Sequence, residues 1–219
     1  KCEEPRQCLT REQVNAVRRV MAGPRTSSGR QVYPGYYFDT GITNTQGLAG
    51  ILAAPFIPEG PAPDTTMDVD AAAAEAMSAR AMVGDTAAWT NLSTFRGHGG
   101  KLIFVHGDSD PWFSAQDTVQ YYERLAVDNP DQPLRDWTRL FLVPGMGHCG
   151  GGQCTLDQFD MLSALTEWVE KSTPPARVIA TGASAPGESR PLCAYPEFAR
   201  HDGAGDTRDA ASYDCKPPP

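Results

Sequence analysis

"KLIFVHGDSDPWFS", residues 101–114, decides how this chain folds. Apolar residues run without a break from Leu102 to Val105, and the run then stops in histidine, glycine and acidic residues. A strand with one face in water alternates apolar and polar side chains. An unbroken run of this kind marks a parallel strand covered on both faces. "SAQDTVQYYERLAVDN", residues 114–129, follows with Ser114 and Asp117 at capping-box spacing and Val119, Tyr122 and Leu125 at helical spacing. "RLFLVPG", residues 139–145, repeats the buried-strand pattern. "TLDQFDMLSALTEWVEK", residues 155–171, is predicted to be a second amphipathic helix with Phe159, Leu162, Leu165, Trp168 and Val169 inward. "ARVIATG", residues 176–182, reads as a last short strand. Strand–helix–strand–helix order predicts an α/β fold around a parallel sheet.

Upstream, the texture differs. "CLTREQVNAVRRVMAGP", residues 8–24, carries a helix with Thr10 and Gln13 as capping box, Val14, Val17 and Met21 on one face, and Gly23-Pro24 as its stop. Residues 31–66 are rich in Gly, Pro and Thr and read as loops packed on another body. An Ala- and Met-rich helix is predicted from about Asp68 to Val83. After residue 190 the tail has no periodicity and reads as an irregular strap bounded by Cys193 and Cys215.

Bulk properties narrow the class. The 219 residues suffice for one sizeable domain or a domain with an appendage. With 27 acids against 19 bases and a net charge of −8, the chain offers no basic stripe for nucleic acid. Its longest apolar runs are far too short to span a bilayer. The opening "KCEEPRQC" has no apolar core behind its basic residue, so no signal peptide is read there. The absence of an initial Met suggests a processed product or a fragment. Six cysteines, four of them near the termini, favour disulfides and a periplasmic or secreted location over structural zinc.

In an open parallel sheet, chemistry collects at the carboxyl ends of the strands. Two polar turns lie there, "HGDSDPWFS" (106–114) and "PGMGHCGGG" (144–152). The first offers Asp108 and Asp110, the second His148. An Asp followed by a His on a later strand end is the chain order of acid and base in α/β-hydrolases. A carboxylate that accepts from one imidazole nitrogen fixes the tautomer and leaves the other nitrogen to take a proton. Both aspartates also suit turn capping, and a His among glycines also suits a structural turn. Trp112 and Met146 read as packing residues. A metal reading would combine His148, Cys149 and Cys154 with His106 or His98, but adjacent residues rarely both reach one ion.

Three stretches carry a resemblance: "HGDSDPWFSAQDTVQYYERLA", "RLFLVPGMGHCGGG" followed by "DQFDMLSALTEWVE", and "RPLCAYPEFARHDGAGDTRDAASYDC". In order and spacing they resemble the tannase and feruloyl esterase family, which includes the mono(2-hydroxyethyl) terephthalate hydrolases. The resemblance is strong over residues 97–219 and looser over residues 1–96. It implies a serine esterase acting on small phenolic or aryl-carboxylic esters, with an α/β-hydrolase core and a large inserted lid. Residues 1–96 would be the carboxyl-terminal part of the lid, 97–183 a core segment, and 184–219 a disulfide-stapled tail.

The same resemblance assigns the acid to Asp110, in preference to Asp108, and the base to His148. Phe113 matches an aromatic that lines the acyl pocket. Cys2–Cys8 and Cys193–Cys215 match staples of the lid and tail. Cys149 matches a cysteine that bonds the one beside the nucleophilic serine. That serine lies in a Gly-Cys-Ser-x-Gly-Gly-like elbow in the family. No such run occurs here, and Ser109, Ser114 and Ser184 lack the strand–turn–helix context. The expectation is that the nucleophile, and the lid loop that holds a structural calcium, lie in an upstream segment tethered through Cys149, and that the chain alone is inactive. Catalysis would need no cofactor. "QGLAGILAAPF", residues 46–56, is aliphatic and lacks Arg, which argues against a terephthalate monoester. The other reading is a non-catalytic, disulfide-stapled binding or assembly module that uses the aromatic "YPGYYF", residues 33–38, as a contact surface. Cys154 has no assignment in the family pattern.

Overall fold

The computed structural model describes residues 10–39, 68–78, 83, 89–152 and 154–219. The expected Cys2–Cys8 staple and the 46–56 segment lie outside them. The helices are α1 (Arg11–Met21), α2 (Val69–Ala76), α3 (Ser93–Gly97), α4 (Ala115–Asp128) and α5 (Met161–Lys171). The strands are β1 (Leu102–Gly107), β2 (Thr138–Val143), β3 (Arg177–Thr181), β4 (Ser189–Cys193), β5 (Phe198–His201) and β6 (Tyr213–Lys216).

β1 and β2 pair in parallel, from Leu102 opposite Thr138 to Gly107 opposite Val143, so both carboxyl ends finish at one edge. The pleat sends alternate side chains to opposite faces. Leu140 and Leu142 of β2 meet Val119 and Tyr122 of α4, together with Phe104 of β1. Phe141 and Val143 meet Met146, Ala180 and Leu192, with Ile103 and Val105 of β1 packed alongside. The two-faced burial predicted for β2 is therefore present. β1 is equally apolar, yet residues 102–106 are only half-buried.

α4 buries Val119, Tyr122 and Leu125 as predicted. Its cap differs from the expected box: the Ser114 side chain accepts from Gln116 N, and the Ser114 N–H donates to Tyr33 Oη. At α1 the box does close, through Thr10 and Gln13. α1 buries Met21, whereas Val17 is exposed. α2 ends at Ala76, short of the predicted Val83, with Met77 as its cap. α5 begins at Met161 rather than near Thr155, because the preceding residues are held by other partners. Thr155 Oγ1 donates to Pro144 O, and Gln158 forms a β-bridge with Thr181. α5 consequently turns Trp168 into the core and leaves Leu162 and Val169 exposed. The Arg139 guanidinium lies 4.7 Å over the Trp168 ring, which covers the indole from the β2 side.

The tail is more ordered than the strap expected from sequence. β3 pairs antiparallel with β4, and β5 with β6, rather than extending the parallel sheet. A bridge between Phe141 and Ala194 ties this pair of hairpins to β2. The β3–β4 hairpin spans residues on both sides of position 184. The Cys193–Cys215 disulfide forms as expected and joins β4 to β6. Cys154 is also disulfide-bonded.

Candidate active site

The loops leaving β1 and β2 are knitted together by their own backbones. Asp108 N donates to Val143 O at 3.0 Å, Ser109 N to Met146 O at 3.0 Å, and Asp110 N to Gly107 O at 3.1 Å. The approach is so close at Gly107 that a Cβ there would sit 2.2 Å from Met146 O. Gly152 closes the second loop in the same way: its φ is +137°, and a Cβ would meet Gly145 O at 2.0 Å. Glycine at 107 lets the two loops touch and glycine at 152 lets the second fold back on itself, which brings Asp110 to His148.

Asp110 Oδ2 accepts from His148 Nδ1 at 2.8 Å. Asp110 Oδ1 accepts from the amides of Trp112 at 2.8 Å and Phe113 at 3.1 Å. The carboxyl is 5% exposed, and burial alone would raise its pKa. Hydrogen bonds from His106, His148 and the two amides outweigh this and bring it down to about 2. Facing an ionised carboxylate, His148 Nδ1 must carry the proton, which leaves Nε2 bare and able to accept one. The Trp112 ring stacks on the imidazole at 4.7 Å and 28°, and Phe113 lies 5.4 Å away. Phe113 is 56% exposed. Both aromatics border the His148 ring. Phe113 also lines the adjoining cavity, and Trp112 is more than the packing residue read from sequence.

A cavity of about 360 Å³ opens at this point, lined by Tyr33, His106, Asp110, Phe113, His148 and Cys149 among others. A larger hollow of about 710 Å³ lies under the tail. Its charged side chains are already engaged: Arg190 with Ser189 O and Glu188, and Arg208 with Pro186 O. Its lining contains no histidine among the described residues, whereas the smaller cavity is lined by both Asp110 and His148. The 33–38 segment closes one wall of the site. Tyr33 Oη accepts from Ser114 N at 3.0 Å, Ser114 Oγ donates to Gly35 O, and Pro34 and Gly35 are buried. Tyr33, Tyr36 and Tyr37 stay half-buried and Phe38 is exposed, so aromatic surface remains on this segment.

The structure separates the remaining sequence candidates. Asp108 lines a different hollow from His148, and its Oδ1 is buried without a hydrogen-bond partner among the described residues. Burial and the nearby charge of Asp39 push its pKa up to about 7, against the opposing charge of His106. Ser114 and Ser184 donate their hydroxyls to Gly35 O and Thr155 O, and Ser109 is buried with its amide on Met146 O. Cys149 is a free, exposed thiol at φ +60°. The metal reading loses Cys154 to its disulfide, and His98 bonds Thr94 O at the end of α3. His106, considered in the sequence only as a ligand, instead contacts Asp110. The His-x-x-x-Asp spacing at the end of β1 was the signal for it.

Asp108 gives a stability prediction with a definite sign. Its folded pKa lies above the unfolded value, so the folded state holds the proton longer. That contribution is complete below about pH 4 and is lost as pH rises through about 7. Asp108→Asn mimics the protonated form. It is expected to raise stability at pH 8 by on the order of 2–4 kcal/mol and to change little at pH 4. Thermal melts at the two pH values check this, and a gain equal at both would show that Asp108 is not held protonated.

Compared with known proteins, residues 63–216 match the family profile described as "Tannase and feruloyl esterase". The chain is 34% identical over 260 residues to a mono(2-hydroxyethyl) terephthalate hydrolase of Piscinibacter sakaiensis, covering 97% of this chain and 42% of that protein. Two crystal structures from Aspergillus oryzae share the fold. An esterase superposes with a TM-score of 0.71 at 24% identity, over 98% of this chain and 49% of its own. A feruloyl esterase B superposes with a TM-score of 0.71 at 23% identity, over 95% and 46%. The arrangement is α/β-hydrolase-like. The chain spans less than half the length of the first curated relatives it matches.

Proposed function

We propose, from the premise that this chain belongs to the tannase and feruloyl esterase family, that it carries the acid and base of a serine-type carboxylic ester hydrolase acting on small aromatic esters. The observation that carries the reading is the 2.8 Å bond from His148 Nδ1 to the ionised Asp110, beside a cavity walled by Phe113. His148 Nε2 takes the proton of a serine hydroxyl as its oxygen attacks the ester carbonyl. Asp110 stabilises the imidazolium that forms. The imidazolium then protonates the departing alcohol oxygen and leaves an acyl-enzyme. Water attacks that ester with His148 again as base, and the acid and the serine are released.

The nucleophile is assigned to a segment outside this chain, tethered by a disulfide from Cys149 to a cysteine beside the serine. The free, exposed thiol one residue from His148 supports this. The half-burial of apolar β1 supports continuation of the sheet on that segment, which makes residues 97–183 part of a larger core. Residues 1–96 then belong to a lid and residues 184–219 to a stapled tail. The Cys193–Cys215 bridge favours an oxidising compartment, the periplasm or the exterior. The structural calcium implied by the resemblance is assigned to lid residues beyond this chain, and no step is derived through it. Among the described residues no group of three or more His, Cys, Asp or Glu is arranged to hold an ion.

Co-expression with the serine-bearing segment tests the proposal. Turnover of methyl hydroxycinnamate, gallate or benzoate esters is expected from the joined protein and none from the chain alone. Mass spectrometry should find Cys149 bridged to the added segment. A joined, folded protein that hydrolyses no aromatic ester would overturn the reading.

A further inference from the structure

Asp110 is bound on every side that a carboxylate offers. Oδ1 takes the amides of Trp112 and Phe113, and Oδ2 takes His148 Nδ1. The remaining direction of Oδ2 faces His106 Nε2 at 3.4 Å. The same Nε2 lies 3.1 Å from Phe113 O, an atom that only accepts, so Nε2 must carry the proton. Its N–H is shared between the Phe113 carbonyl and the carboxylate. On the other side of the ring, Nδ1 lies 2.7 Å from Thr118 Oγ1 on the first turns of α4. The side chain is 14% exposed. One ring therefore joins the end of β1, the acid, the backbone of the pocket aromatic and the helix that packs on the sheet.

We propose that His106 is a positioning residue: anchored on Thr118, it fixes the carboxylate plane of Asp110 and the Phe113 backbone, and so sets the bond that orients His148. This rests on the reading of Asp110 and His148 as acid and base. With Oδ1 held by two amides, rotation of the carboxyl about its Cβ–Cγ bond is opposed at both oxygens only while His106 occupies the second site on Oδ2. Without it, Oδ2 has one partner, and that partner is the mobile base. The electrostatics agree. Burial disfavours a charged ring, yet the Asp110 hydrogen bond, the Phe113 carbonyl and the charges of Asp110 and Asp108 outweigh it and hold the His106 pKa above its ordinary value.

Three variants separate positioning from bulk stability. His106→Leu keeps volume and removes both polar atoms. His106→Gln restores an N–H donor near the Nε2 position. Thr118→Val removes the anchor alone. The first readout is the imidazole Nδ1 proton of His148, followed by ¹⁵N-edited NMR on the chain itself, which requires no turnover. It is expected to be a single low-field signal in the wild type and in His106→Gln, and broadened or lost in His106→Leu. In the joined enzyme, His106→Leu is expected to lower kcat by roughly 10- to 100-fold and to raise KM, because Phe113 loosens as well. His106→Gln should recover most of both, and Thr118→Val should fall between. A folded His106→Leu chain that keeps the wild-type His148 signal overturns the proposal, whatever the activity assay shows. Equal losses in the Leu and Gln variants, matched by equal losses in melting temperature, also overturn it. An enzyme indifferent to His148→Ala would overturn the esterase reading and leave the NMR result standing.

Discussion

His148→Ala in the joined enzyme is expected to lower kcat by roughly 10⁴- to 10⁶-fold while KM stays within a few-fold of wild type. The size follows from the number of duties that one atom performs. In the proposed mechanism Nε2 accepts the serine proton, returns it to the leaving alcohol and later activates water, and each step loses its proton carrier when the ring is removed. The substrate contacts proposed here come from Phe113 and the cavity wall, which alanine leaves in place, so binding survives. The fold should survive too. The His148 side chain is 32% exposed, and its one hydrogen bond among the described residues is to Asp110, which keeps both loop amides. Loss of that one charge-assisted bond is worth roughly 1.5–3 kcal/mol, readable as a lowered melting temperature without unfolding. Initial rates on an aromatic ester under saturating conditions check the prediction. A kcat within tenfold of wild type would sink the assignment of the base.

The parts of this arrangement that were legible in the sequence are those that local chemistry dictates. Leu102–Val105 and Leu140–Val143 announce parallel strands because continuous apolar runs have nowhere to go except between two layers. Val119, Tyr122 and Leu125 lie inward because three- and four-residue spacing puts them on the face that meets Leu140. The juxtaposition of Asp110 and His148 follows from two loops at the same edge of one sheet. What was illegible depends on contacts made only after folding. Leu162 and Val169 read as inward on an isolated helix, but the bonds of Thr155 and Gln158 delay the start of α5 and set which side meets the core. β4, β5 and β6 are four or five residues long and mixed in polarity, so no period reveals them. Trp112 and His106 gain their roles from rings and atoms brought together by the loop crossing at Gly107.

Asp110→Asn is expected to lower kcat by roughly 10³- to 10⁴-fold although the two side chains are almost the same size. The cause is direction rather than distance. Two backbone amides, Trp112 and Phe113, point at Oδ1 and require an acceptor there. In the variant the amide oxygen takes that position, which turns the NH₂ group toward His148. A ring nitrogen facing an N–H donor must itself accept, so the imidazole proton moves from Nδ1 to Nε2. The nitrogen that should receive the serine proton is then already occupied, and the base is lost with its geometry intact. Stability changes with a distinct pH signature. Because the folded pKa of about 2 lies below the unfolded value of 3.8, Asp110 contributes on the order of 2 kcal/mol above about pH 4. That contribution is lost as pH falls through 2, so wild type should melt above the variant at pH 7 and converge with it in strong acid. Nitrogen chemical shifts of His148 give the tautomer directly. Asp110→Asn with the proton still on Nδ1 and near-normal turnover would remove Asp110 from the mechanism.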